Sequence, residues 1–317
     1  MEIFTLADKT ARSFALTLRL LPKCVRQEVC LAYLLARATD TVADTNNHDA
    51  PTKLAILEEL ETVIGGKSHN PIEGLATLGA NLPHAGEAEL LCAVPRLLEI
   101  LEQSESSVQQ RIRSVLATIV SGQRLDIERF GTKQPGRLPD EEALLDYTWR
   151  VAGCVGEFWT DVLAANIPSS LTLPVATMRH LGRQYGQGLQ LLNILRDAPS
   201  DWTIGRCYLP KRSNHALTYD QPRTASLDFP TSPESLYPAM RSWLPACRTW
   251  LDAGTEYGIA LRGVRVRAAS RLPATLGHLT LDALTKCTPE AWLARVKIPR
   301  SLVRRQALRS IWHALWA

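Results

Sequence analysis

The sequence predicts an all-α protein, and three observations carry that reading. Apolar residues recur at helical spacing along almost the whole chain. No run alternates apolar and polar residues at the period of two that a strand requires. Glycine and proline gather between the apolar stripes, where they read as punctuation between helices. With 317 residues, 45% of them apolar, the chain can bury a sizeable core. We read residues 1–317 as a single domain.

The elements follow in order. Leu31, Leu34, Leu35 and Ala38 make the first clear stripe, and Leu54, Leu57, Leu60 and Ile64 the second. Leu91, Val94, Leu97, Leu98 and Leu101 make a third; Ile112, Leu116, Ile119 and Val120 make a fourth. IGGKSHNP (64–71) and GTKQPGRLPD (131–140) read as loops. The second ends in Asp140, an N-cap by type, with Glu141 and Glu142 in the first turn of the next helix. Leu189, Leu192 and Leu195 mark a later helix as core-facing. The polar stretch KRSNHALTYDQPRTASLDFPTSPES (211–235) reads as a mobile loop between helices, not a domain boundary. The C-terminal RVKIPRSLVRRQALRSIWHALWA has six Arg or Lys and no acid. Within it Leu308, Ile311, Trp312, Leu315 and Trp316 form one stripe of a helix over about 300–317. Such a helix docks on the domain or lies on an anionic membrane surface, and the sequence is compatible with both.

Composition removes several function classes. A net charge of +4 is too small to argue for nucleic acid. The seven cysteines form no CxxC pair, so reduced thiols in a cytoplasmic protein are the simplest reading. The first apolar run is broken by Asp8, Lys9, Arg12 and Arg19, which is unlike a signal peptide. No run is apolar for the roughly 18 residues a bilayer span needs. The expected location is cytoplasmic, with peripheral contact at the inner face of a membrane left to the C-terminal helix. No protein partner is implied.

Two acidic segments stand out. In ARATDTVADT (36–45), Asp40 and Asp44 share one helix face at i and i+4 in a background of Ala36, Ala38, Val42 and Ala43. Like charges at that spacing repel, and repel more when desolvated, so a cation should lie between them. In QGLQLLNILRDAPSDW (187–202), Asn193, Asp197 and Asp201 repeat the arrangement. Oxygen donors of this kind suit Mg²⁺, which is usually held by one or two carboxylates plus substrate phosphates. Arg37 and Arg196 flank the two groups and are suited to planar phosphate recognition. Gln123, Asp126 and Arg129 in GQRLDIERF (122–130) read as surface ion pairing, with the mouth of a site as the alternative. Tyr147 reads as a buried, hydrogen-bonded core tyrosine on its own. The seven histidines are scattered and receive no role.

Five segments together resemble the squalene/phytoene synthase family, on its squalene-forming side. ARSFALTLRLLP (11–22) resembles the family's SRSF segment, and YLLARATDTVADT (33–45) its first aspartate-rich motif. YTWRVAGCVG (147–156) is similar to Y-C-x-x-V-A-G-x-V-G. QLLNILRD (190–197) with Asp201 and GRCYLP (205–210) resembles the second aspartate-rich region. RVKIPRS (295–301) resembles a basic V-K-I-R segment near the nicotinamide cofactor. Thr41 after Asp40 matches squalene synthases, since phytoene synthases usually begin that motif Asp-Asp.

The resemblance implies an all-α isoprenoid synthase fold around a deep apolar cavity. It implies Mg²⁺, NADPH and two farnesyl diphosphates joined head to head through presqualene diphosphate to give squalene. It carries metal binding onto Asp40, Asp44, Asn193, Asp197 and Asp201, and a proton-handling role onto Tyr147. Contacts to diphosphate or isoprenoid fall to Ser13, Phe14, Arg37, Gln190, Arg196 and Arg206. Cofactor contacts fall to Arg12, Arg37, Arg196, Lys297 and Arg300. Alternatives are a phytoene- or dehydrosqualene-type synthase without NADPH and a non-catalytic isoprenoid-binding paralogue. Three departures qualify the match. Ala43 stands where eukaryotic squalene synthases often have an acid, and Pro299 where the cofactor segment has a basic residue. Pro199 lies between Asp197 and Asp201, so a bent last turn is expected and Asp201 is the least secure ligand.

Overall fold

Helix follows helix along a computed structural model that describes residues 3–10, 14–45, 48–68, 72, 74–80, 82–131, 134–210 and 229–299. The first half comprises α1 (Ile3–Thr10), α2 (Phe14–Leu20), α3 (Lys23–Asp44), α4 (Ala50–Ile64), α5 (Leu75–Ala80), α6 (Ala85–Glu102) and α7 (Ser106–Phe130). The second comprises α8 (Glu141–Thr148), α9 (Cys154–Asn166), α10 (Val175–Thr203), α11 (Tyr237–Ile259), α12 (Val264–Lys286) and α13 (Pro289–Leu293). The four apolar stripes read from the sequence lie on α3, α4, α6 and α7, and their leucines, isoleucines and valines are nearly all buried.

Local chemistry sets the helix starts. Asp140 caps α8 as expected, accepting from the Ala143 N–H at 2.8 Å, with Glu141 and Glu142 in the first turn. Asp49 caps α4 by accepting from the Thr52 N–H at 3.0 Å. The loop expected at 131–140 also holds two residues of strand. β1 (Gly136–Arg137) pairs in parallel with β2 (Arg206–Cys207), Gly136 opposite Arg206 and Arg137 opposite Cys207. This bridge is too short for any periodicity to announce, yet it fixes the segment after α10.

Two large apolar clusters organise the packing. One joins α1 to α7 and α9; the other joins α8, α10, α11, α12 and α13 with the end of α7. A π-helical turn, Trp149–Gly153, connects α8 to α9. Here α9 and α10 approach very closely: a Cβ on Gly156 would stand 1.9 Å from the Gly182 carbonyl oxygen, and one on Gly186 2.2 Å from that of Ala152. Close helix approach is thus what the glycines of VAGCVG provide.

Pro199 does not end α10, which runs on from Val175 to Thr203, roughly 43 Å at 1.5 Å per residue. The carbonyl that the proline orphans has another partner. A proline at 199 leaves the Leu195 oxygen without its helical donor. The Trp292 indole N–H takes that place at 2.8 Å.

The expected mobile loop, 211–235, is only partly described. Residues 211–228 lie outside the described residues, whereas 229–235 are docked. Phe229 stacks on Trp202 at 6.0 Å, the Pro230 oxygen accepts from the Trp202 indole at 2.9 Å, and Pro233–Leu236 form a 3₁₀ turn. The basic helix expected at about 300–317 also lies outside the described residues. No described helix is long and apolar enough to cross a membrane.

Candidate active site

The acidic residues meet along the seam between the two apolar clusters. Asp40 and Asp44 end α3 on one side. On the other, Gln190, Asn193, Asp197 and Asp201 share a face of α10. Asn193 is exposed although Leu192 and Ile194 beside it are buried. Asp40 and Asp44 are reached by solvent yet heavily desolvated by the protein around them. That combination is a cleft, not an outer surface.

Cations stand among the acids, as the spacing of Asp40 and Asp44 demanded. Arg37 donates to Asp40 through Nη1, and through Nη2 to Glu87 Oε1 at 2.6 Å. Burial, then repulsion by Asp44, pushes the Asp40 carboxyl up to about 6. Asp44 is raised by burial as well, and Arg206, Arg37 and Lys53 oppose that rise. Lys53 is 9% exposed; its ammonium donates to the Ala43 carbonyl at 3.1 Å, at the C-terminal end of α3.

Arg206 joins the halves. Its Nη1 donates to Asp126 Oδ2 at 3.0 Å, and its charge acts on both Asp44 and Asp201. Burial and then the Asp197 charge push Asp201 up to about 7. Asp197 accepts from Arg196 through Nε at 2.9 Å and Nη2 at 2.5 Å. Asp201 lies on the same continuous helix as Asn193 and Asp197.

Tyr147 lies beside this constellation, 8% exposed and stacked on Tyr208 at 5.0 Å with 22° between the rings. The Tyr208 hydroxyl donates to Asp126 Oδ1 at 2.6 Å. Burial holds the Tyr147 phenol well above its ordinary value, the Asp126 charge adds to the rise, and hydrogen bonding with Tyr208 opposes it. Burial raises Asp126 too, against the pull of Arg206. The surface reading of Asp126 is thus overturned: its side chain is 13% exposed and binds Arg206 and Tyr208 inside the protein. Gln123, one turn earlier, is buried as well.

Contacts and charge interactions link Asp40, Asp44, Arg37, Tyr147, Arg196, Asp197, Asp201 and Arg206, while Gln190 and Asn193 share the α10 face of Asp197. Lys297 is exposed, and no described contact joins it to these groups. Arg12, Ser13 and Arg300 lie outside the described residues, as does the side chain of Phe14. Sequence reasoning missed Lys53, Glu87 and Tyr208 and misplaced Asp126. A signal existed for two of them. Lys53 falls in register with Ile56, Leu57 and Leu60, and Glu87 with Leu90, Leu91 and Val94. A charged residue on an apolar stripe points inward.

The donor set fits a divalent hard cation. It offers carboxylate and amide oxygens only, and burial raises three of its acids, Asp40, Asp44 and Asp201, with like charge adding to the rise at Asp40 and Asp201. Among the described residues no three His, Cys, Asp or Glu side chains are close enough to hold a metal unaided.

The fold and site define an all-helical protein with two acid-bearing helix faces bridged by an arginine. The squalene/phytoene synthase family model matches residues 7–302, and the chain belongs to that family. It is 27% identical over 211 residues to the squalene synthase of Cyberlindnera jadinii, covering 67% of this chain and 45% of that protein. It is 28% identical over 218 residues to the presqualene diphosphate synthase of Rhodopseudomonas palustris, covering 68% of this chain and 65% of that protein. The chain spans a little under half the length of the curated squalene synthase it matches there. Among solved structures it superposes on TcSQS in complex with ligand, with a TM-score of 0.75 and 19% identity, over 99% of this chain and 87% of that one. A dehydrosqualene synthase in complex with ligand gives a TM-score of 0.60 at 21% identity, over 99% and 95%. These likenesses confirm the all-α fold expected from the sequence.

Proposed function

We propose that the chain joins two farnesyl diphosphates head to head to give presqualene diphosphate, with Mg²⁺ as cofactor. The carrying observation is that Arg206 lies among Asp44, Asp126 and Asp201, so that both acidic faces address one space. Asp40, Asp44, Asn193, Asp197 and Asp201 would hold Mg²⁺, which when bound neutralises charge on a departing diphosphate. Arg37, Arg196 and Arg206 would bind the diphosphates.

The reaction consumes two farnesyl diphosphates and yields presqualene diphosphate, diphosphate and a proton. The donor ionises, the acceptor's double bond attacks the allylic cation, and proton loss closes the cyclopropane. Tyr147 suits that last step as a relay. Its phenol is neutral at physiological pH, so it accepts a proton only as it passes its own onward. Tyr208 and the raised carboxylate of Asp126 form the outlet on that side. Such a cation must be kept from water, and the core around Tyr147 is built of buried apolar residues of α7, α8 and α10.

A second reading extends the reaction to squalene by NADPH-dependent reduction. Thr41 after Asp40 and the basic Lys297 favour it, while Pro299 weakens the nucleotide segment. Incubation with farnesyl diphosphate and Mg²⁺, with and without NADPH, tests both. Presqualene diphosphate regardless of NADPH supports the condensation alone. Squalene only with NADPH supports the extended reading. Absence of both products sinks both readings.

A further inference from the structure

Arg295 carries no role so far. Among the described residues it is the one non-glycine position with a positive φ, 64°. An L-residue is disfavoured in that region, so its surroundings must impose the conformation. They do so through Trp292, which is fully buried. Its indole donates to the Leu195 oxygen at 2.8 Å and its ring meets Tyr237 edge-on at 5.7 Å. The Arg295 N–H closes the turn onto the Trp292 oxygen at 2.9 Å. Helix α13 is thereby pinned to α10 two residues before Asp197. The left-handed residue then turns the chain, and its Nε donates to Asp197 Oδ1 at 3.1 Å.

The contact is excessive for a structural ion pair. Arg196 already holds Asp197 through both oxygens. The Arg295 side chain is 54% exposed, and pairs that exposed contribute little to stability. Two guanidiniums, Arg196 and Arg295, therefore stand together at the rim of the second acidic half, over Asp197. Arg295 acts on Asp201 as well.

We propose that Arg295 is a diphosphate-binding residue of that half, an inference that rests on the head-to-head reading above. Once Asp197 is committed to a cation, both guanidiniums lose their partner. Arg295 stays within reach because its backbone is anchored through Trp292, and its planar fork takes phosphate oxygens. A basic group thus reaches the site from the C-terminal segment four residues before Pro299, where the family's basic residue is missing.

Binding of inorganic pyrophosphate with Mg²⁺, followed by calorimetry on the full chain, tests this alongside farnesyl diphosphate turnover. Arg295→Ala should weaken pyrophosphate binding about tenfold or more, and Arg295→Lys should restore only part of it. Arg295→Gly, which suits the positive φ, should lose the same affinity without loss of thermal stability. Unchanged affinity in the Ala variant overturns the proposal, and so does full affinity in the Gly variant. A defect confined to NADPH binding also overturns it, because Arg295 would then serve the nucleotide. Wild-type protein that binds Mg²⁺ and pyrophosphate but converts no farnesyl diphosphate would sink the head-to-head reading and leave Arg295 in place.

Discussion

Asp126 shows how much one carboxylate can organise. It receives Arg206 on one oxygen and the Tyr208 hydroxyl on the other, and Tyr208 stacks on Tyr147. Asp126→Asn keeps the shape and removes the charge that draws a proton outward. Turnover of farnesyl diphosphate should fall about a hundredfold with little change in KM. A variant with full turnover would remove Asp126 from the proton path. Titration offers a second residue-scale test. Asp40 and Asp201 hold their protons up to about 6 and about 7, above the ordinary 3.8. The folded state therefore binds more protons than the unfolded chain between those values, and rising pH destabilises the metal-free fold across that window. The same rise frees the oxygens for Mg²⁺. Mg²⁺ should accordingly raise the melting temperature clearly at about pH 8 and hardly at about pH 5.5, with proton release on binding. Equal shifts at both pH values would mean that these carboxylates do not bind the metal.

At the scale of elements, two contacts make α10 what it is. The first is the glycine seam with α9, where a side chain on Gly156 would run into the Gly182 backbone. Gly156→Ala should cost about 1–3 kcal/mol or more, read as a lowered melting temperature, because backbone on both sides blocks relaxation. The second is the exchange of a backbone donor for an indole at Leu195. Trp292→Phe should cost about 1–3 kcal/mol by leaving that carbonyl unpaired. Pro199→Ala returns an N–H to the helix, so Trp292→Phe should cost less in that background. Strict additivity of the two changes would disprove the exchange. This is also where sequence reading stopped. Pro199 read as a bend because the donor that replaces its missing N–H, the Trp292 indole, lies 97 residues from the Leu195 carbonyl, and local rules cannot see a donor at that separation. The Asp140 cap, by contrast, was legible because donor and acceptor are three residues apart. Stripe and cap decide whether a helix exists; what a charged residue on it faces depends on helices elsewhere, which is why Asp126 read as surface.

Taken whole, the molecule sets a charged constellation beside its apolar clusters. Acids from α3, α7 and α10 converge there, and their mutual repulsion opposes the convergence. The sequence revealed the two acidic halves because each is local, at i and i+4. It did not reveal what sets them against each other, because Arg206 reaches Asp126 over 80 positions. Arg206 carries one positive charge into a space shared by Asp44, Asp126 and Asp201, and Lys53 supports it from α4. Removing it should therefore act on the whole fold. Arg206→Met preserves much of the side-chain length but leaves Asp126 buried beside an apolar group, a change that costs about 3–5 kcal/mol when one partner of a buried pair is lost. The loss should be largest without ligand. Mg²⁺ with pyrophosphate would supply the missing positive charge to the acidic faces and narrow the difference in melting temperature between variant and wild type. A deficit that stays the same with and without Mg²⁺ and pyrophosphate would show that Arg206 acts only through Asp126, and that the two acidic faces do not share one charge-balanced space.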